Sequence, residues 1–224
     1  MPNHAYASIW CRDFSEEMLA ERFEQFLSTV PMSATRPGFT DLVIRALSPA
    51  EMPLIEPDLR LAQPGAAEIA ELAREHLHSD SAYETRAYWD LWAFDAATGN
   101  GLSRPEPLEI FCYGEEYDDG VWKEYGHFHV DLGLEHLFTG HARLLGFGNE
   151  ALSPPEHPAE AKFLEVMSQP ANLREYQEKT RENIRKVFDW MQRIEGAVPV
   201  ERTRLWSEGE ENFEARIEEI LAVG

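Results

Sequence analysis

Alternation of apolar and polar positions divides the chain into a strand-and-helix first part and a helical last third. Residues 4–12 read as a strand, with Ala5, Ala7, Ile9 and Cys11 on one face and His4, Tyr6, Ser8, Trp10 and Arg12 on the other. Asp13, with Glu16 three residues later, predicts a capping box for a helix whose apolar stripe is Met18, Leu19, Phe23, Phe26, Leu27 and Val30. Pro31 stops it. The next strand, 39–47, has apolar residues on both sides (Phe39, Val43, Leu47 against Leu42, Ile44, Ala46), the pattern of a strand near the middle of a sheet. Three prolines between 48 and 57 predict a connection, followed by a short edge strand at 58–62. Pro64 opens a helix over 65–77 that presents Ala66, Ile69, Leu72, Ala73 and Leu77. The clearest alternation runs from Tyr83 to Phe94: Tyr83, Thr85, Ala87, Trp89, Leu91 and Ala93 face one way, and Glu84, Arg86, Tyr88, Asp90, Trp92 and Phe94 the other.

Over residues 1–97 the order is strand, helix, strand, weak strand, helix, strand, which is that of a split βαβ, or ferredoxin-like, unit. Residues 98–158 add strands at 108–116 and 127–134, separated by turns at Thr98–Gly101 and Asp118–Gly120, and then a Gly- and Pro-rich loop over 140–158. Residues 159–224 read as helical. Asn172 and Glu175 predict a capping box ahead of the stripe Leu173, Tyr176, Thr180, Ile184, Val187, Phe188, Met191 and Ile194. Ser207 and Glu210 cap a last helix with Phe213, Ile217, Ile220 and Leu221. The expectation is a single α+β domain spanning 1–224: an antiparallel sheet with ferredoxin-like order in its first half, extended by two strands and packed with C-terminal helices.

Composition supports a core, with 43% hydrophobic and 11% aromatic residues in 224. No apolar run approaches the length of a membrane span, and Met1–His4 does not open a secretory signal. Cys11 and Cys112 lie in apolar strands, the setting of reduced, buried thiols in a cytoplasmic protein; a single disulfide is the alternative. Charge narrows the picture more. A formal −21 argues against duplex nucleic acid and against anionic membrane surfaces as partners. The acids are spread out, densest at Glu106–Asp119 and at Glu208–Glu219, where only Arg216 interrupts them.

The best local chemistry is His127-Phe128-His129-Val130-Asp131, where alternation puts His127, His129 and Asp131 on one face of a strand. Two imidazoles and a carboxylate are ligands for a divalent metal, with Glu109, Glu115, His136 or His141 as nominees to complete the set. The plain alternative is a polar strand face without metal, and a third use is acid–base or substrate contact. No other cofactor is predicted. The second candidate is a ligand- or partner-binding face carrying Tyr6, Trp10, Arg86, Tyr88, Asp90 and Trp92, since large aromatics mixed with both charge signs are typical of interfaces. C-terminal helices, a second subunit or a ligand would cover it. Glu115–Gly120 lacks the EF-hand ligand pattern, and Gly146-Phe147-Gly148 is too sparse to cradle a phosphate. No nucleophile elbow or C-x-x-C is present.

Three functions fit these features. The chain reads first as a non-catalytic binding or accessory protein using an aromatic sheet face, as a homodimer or with a protein partner. The others are a small metal-dependent enzyme centred on His127 and His129, and a metal-independent enzyme or small-molecule binder.

Overall fold

The computed structural model describes residues 2–95, 98–141, 144–145 and 158–222. Six strands form one antiparallel sheet: β1 (His4–Cys11), β2 (Asp41–Ala46), β3 (Ser81–Asp95), β4 (Asn100–Tyr113), β5 (Phe128–Leu134) and β6 (Val200–Ser207). Their order across the sheet is β2-β3-β4-β5-β1-β6. Strands β2 to β5 form a meander, and β1 inserts between its last strand and β6. The expected mixed α+β fold with an antiparallel sheet and C-terminal helices is therefore observed.

Helices α1 (Glu16–Ser28), α2 (Ala66–Ala73), α4 (His136–Thr139), α6 (Pro170–Ala197) and α7 (Phe213–Ala222) contribute to the core on one face of this sheet. Alternation decides which strand residues meet them. Ala5, Ala7 and Ile9, together with Leu108, Ile110, Phe128 and Val130, are fully buried there. Phe26 of α1 stacks on Phe128 at 4.1 Å, and Trp190 of α6 sits 6.0 Å from Trp89 and 6.2 Å from Phe26. The Trp190 indole N–H donates to Thr29 Oγ1 at 3.0 Å, so this large ring is buried without an orphaned polar atom. Both cysteines are free thiols on this face. Burial pushes Cys11 up to about 12 and raises Cys112 as well, which makes both poor nucleophiles at neutral pH.

Several sequence expectations need correction. Residues 58–62 do not form a strand: Asp58 makes a single bridge to Asp41, and Ile55 another to Ile44. Nor is β1 next to β2 or β3, so the ferredoxin-like order expected within 1–97 is not built from that half; both neighbours of β1 come from later in the chain. Strand β2 lies at the end of the sheet and not near its middle. Its two-sided apolar pattern rests on Phe39 and Leu47, which lie outside the strand. Within it Leu42 and Ile44 are fully buried in the core, Asp41, Val43 and Arg45 alternate with them, and residues 54–59 run along the outer edge with hydrogen bonds to Ile44 and Thr40. Residues 159–224 are not wholly helical, because β6 interrupts them. Asp13 has a left-handed φ of 52° and the helix cap falls at Ser15, while α6 begins with Pro170 at its first turn, placing Asn172 inside the helix. The loop expected over 140–158, including Gly146, Phe147 and Gly148, lies mostly outside the described residues.

Past β2, the free edge of β3 is sealed by side chains from α6. Asn183, 1% exposed, accepts the Trp92 N–H at 2.9 Å and donates to the carbonyls of Trp92 (2.8 Å) and Leu137 (3.0 Å). Lys186 Nζ donates to the Asp90 carbonyl at 2.6 Å. At the opposite end of the sheet, β6 leaves Glu201, Arg202 and Arg204 exposed.

Candidate functional site

The sheet face away from α1 and α6 carries the chemistry. Cross-strand register lays its side chains out in rows. One row runs Asp41, Arg86, Glu109, Asp131, Tyr6, Trp206 from β2 to β6. The next runs Val43, Glu84, Phe111, His129, Ser8, Arg204. A third has Arg45, Ala82 and Tyr113 on one side and Trp10 and Arg202 on the other.

The centre of these rows is aromatic. Tyr6 stacks on Trp206 at 4.4 Å and on His129 at 5.3 Å, and His129 lies 6.0 Å from Phe111. Phe111 stacks in turn on Tyr113 at 6.1 Å. The link between β4 and β5 folds back over one end of this cluster. It contains the short helix α3 (Trp122–Tyr125), whose Tyr125 meets His129 edge-on at 5.3 Å. Gly126 lets α3 lie this close: its φ is +91°, and a Cβ there would come within 2.7 Å of the Ile9 backbone.

The flanks are ionic. Arg86 pairs with Glu109 at 2.6 Å and with Asp41 at 3.5 Å, and Arg45 pairs with Glu84 at 3.2 Å. Burial raises the pKa of Asp41 and Glu84 despite these partners. Arg202 and Arg204 form no ion pair among the described residues; their guanidinium groups lie over Trp10 at 3.7 Å and Trp206 at 5.4 Å.

The three residues nominated for metal are held apart. His127 is 3% exposed, sandwiched between Phe14 (4.2 Å) and Trp122 (4.4 Å). Its Nδ1 accepts the Cys11 N–H at 3.0 Å, so the proton of the neutral ring is on Nε2, which has no partner among the described residues. His129 is 8% exposed within the aromatic cluster, its Nδ1 3.4 Å from Ser8 Oγ. Burial pushes both imidazoles down to about 4. Asp131 is engaged by His4 Nδ1 at 2.7 Å and by the Gly133 N–H at 2.8 Å. Among the described residues no three His, Cys, Asp or Glu side chains are grouped so as to hold a metal ion; Glu109 serves Arg86, and His136 stacks on His141 at 4.2 Å.

Of the residues nominated for ligand or partner binding, Tyr6 is half-buried on the open face and donates its hydroxyl to Glu208 at 2.9 Å. Trp10 lies beneath Arg202, 5% exposed. Tyr88 packs under Arg36 at 4.6 Å, and Asp90 accepts hydrogen bonds from Ser33 and Ala34, so these two fix the 33–36 turn. Trp92 leaves the open face and is buried 5.6 Å from Tyr176. Sequence reading missed Phe111, Tyr113, Tyr125 and Trp206. The alternation Glu109, Phe111, Tyr113 was a usable signal for two of them.

Fold and face together define the class: an α+β domain with helices on one side of an antiparallel sheet and an aromatic, partly open surface on the other. Comparison with family models, curated proteins and solved structures gives no match to this chain. Among the described residues no helix is long and apolar enough to cross a membrane.

Proposed function

We propose that this chain is a non-catalytic binding protein whose working surface is the open sheet face, and that the partner held there is a second copy of itself. The observation that supports this reading is a contrast of charge. The three rows carry Arg45, Arg86, Arg202 and Arg204 against Asp41, Glu84, Glu109 and Asp131, so they are formally neutral while the chain carries −21. Two copies repel over the rest of their surface and lose that repulsion where these faces meet. An aromatic centre with an ionic surround also matches the anatomy of a protein interface. The long helices meet the other face and α3 reaches only one end of this one, so among the described residues the rings of Tyr6, Phe111 and Trp206 stay half-exposed, as a surface awaiting a partner would be.

Size-exclusion chromatography with light scattering, over a concentration series, tests this. A dimer is expected, and Phe111→Glu with Trp206→Glu should convert it to a monomer of unchanged circular dichroism. A wild-type chain that stays monomeric up to about 100 µM would remove the second copy from the proposal. A dimer indifferent to both substitutions would remove the face.

A further inference from the structure

The far end of the β3–β4 ribbon carries a separate feature. There α5 (Pro158–Met167) and the first turns of α6 fold against the strands and enclose a cavity of about 140 Å³. That is well below the size of a drug-like pocket, so its occupant has only a few heavy atoms. Three rings line it. Trp92 is set at 65° to Tyr176 with centroids 5.6 Å apart, and Phe94 at 88° with centroids 6.4 Å apart. A methyl added at Gly101 would overlap the Trp92 indole, so the opposing strand is held to glycine where this ring closes the wall.

The side-chain polar groups lining the cavity are mainly acceptors. Asn172 gives its NH2 to the Val166 carbonyl and to Gln169 Oε1, and Asn100 gives one N–H to the Thr98 carbonyl, which leaves each amide oxygen unengaged among the described residues. Glu175 makes no hydrogen bond or ion pair there either, and Lys179, one turn on, gives its ammonium to Glu182. Among the described residues no Lys, Arg or His lines the cavity. An anion would therefore meet the Glu175 carboxylate with no cation among the described lining residues beside it, Lys179 acting on Glu175 only through its field. A neutral apolar molecule would leave the acceptors unpaired.

We propose that this cavity binds a small organic cation of the alkylammonium or guanidinium type, seated against Trp92, Phe94 and Tyr176 with Glu175 as its counter-charge. Aromatic faces attract such cations through their quadrupole, and the negative field of the chain raises their local concentration.

Titration of the full chain with tetramethylammonium and with methylguanidinium, followed by saturation-transfer NMR and tryptophan fluorescence, tests this. Tert-butanol serves as the neutral control of similar shape. Binding of either cation in the millimolar range with none of tert-butanol is expected. Glu175→Gln and Phe94→Leu should each weaken it by at least about threefold, and Asn100→Asp should tighten it. Glu175 and Asn100 are exposed, so their variants remain informative even where Phe94→Leu fails to fold. Equal binding of tert-butanol, affinities untouched by Glu175→Gln and Asn100→Asp, or no saturation transfer from either cation at about 10 mM would overturn the proposal.

Discussion

The two faces of one sheet are built from the same strands, residue by residue, yet they are closed by different means. On the helix side Trp89, Trp190, Phe26 and Phe128 meet side chains from distant elements and are fully or almost fully buried. On the other side Tyr6, Phe111, His129 and Trp206 pack mainly on each other, with α3 laid over one end. The difference teaches where stability and surface chemistry reside. The helix face is a packed core in which each ring has neighbours all round. The open face is a layer one side chain deep, held together by stacking and by ion pairs that solvent screens.

The contrast is broken most severely at its centre. Trp190→Ala should cost about 3–5 kcal/mol of unfolding free energy, since it removes the ring that joins Trp89 to Phe26 and leaves a cavity; denaturant melts would measure it, and a cost under about 1 kcal/mol would show that the helix face is not the core. Acid comes next. His127 and His129 are neutral in the fold, with pKa values pushed down to about 4, so the unfolded chain binds protons more readily below its ordinary histidine range. Their contribution is fully present above about pH 6.5 and is lost as pH falls toward 4, on the order of 3 kcal/mol for each. His136 and His141 are shifted the same way, so the quantity to measure is the difference in acid sensitivity between wild type and a His127→Gln, His129→Gln chain. Equal slopes of stability against pH for the two chains would refute it.

Two smaller effects sharpen the comparison. Asn183→Leu should destabilise by about 2–3 kcal/mol, because it strands the Trp92 N–H and C=O and the Leu137 C=O in a buried site. Hydrogen exchange should speed up at Trp92 in that variant, and protection there equal to wild type would contradict the role given to the amide. On the open face Phe111→Ser should cost no more than about 1 kcal/mol in the monomer, while changing the apparent mass. A cost as large as that of Trp190→Ala would erase the distinction between the faces.

Strands β1 and β3 and the long α6 stripe were legible because the side of each that meets the core is apolar while the other side is mostly polar or aromatic, so alternation survives in the sequence. Strand β6 was not. Glu201, Arg202, Thr203 and Arg204 stand in succession, and as an edge strand it needs only Leu205 well buried. Without β6, Trp206 had no place beside Tyr6. The imidazole and carboxylate of 127–131 were found correctly as residue types, but alternation fixes only the side to which a residue points. It cannot say that Phe14 and Trp122 clasp His127, or that His4 takes Asp131. Those contacts depend on a register shift between Ala5 and Tyr6 and on a close approach at Gly126, neither of which leaves a periodic mark.

The place of β1 between β5 and β6 has a consequence for how the molecule is made. Its last neighbour lies so far along the chain that the contact of His4 with Glu208 spans 204 residues. As the polypeptide leaves the ribosome from its N-terminal end, β1 is the first of these six strands to emerge and among the last to be paired on both sides. Its rings at Tyr6 and Trp10 wait for β5 and β6 to be synthesised, and a fold closed by so distant a contact assembles slowly. Chaperone demand during synthesis should therefore be set by β1 and not by the aromatic-rich β3, whose partner β4 follows it within one hairpin.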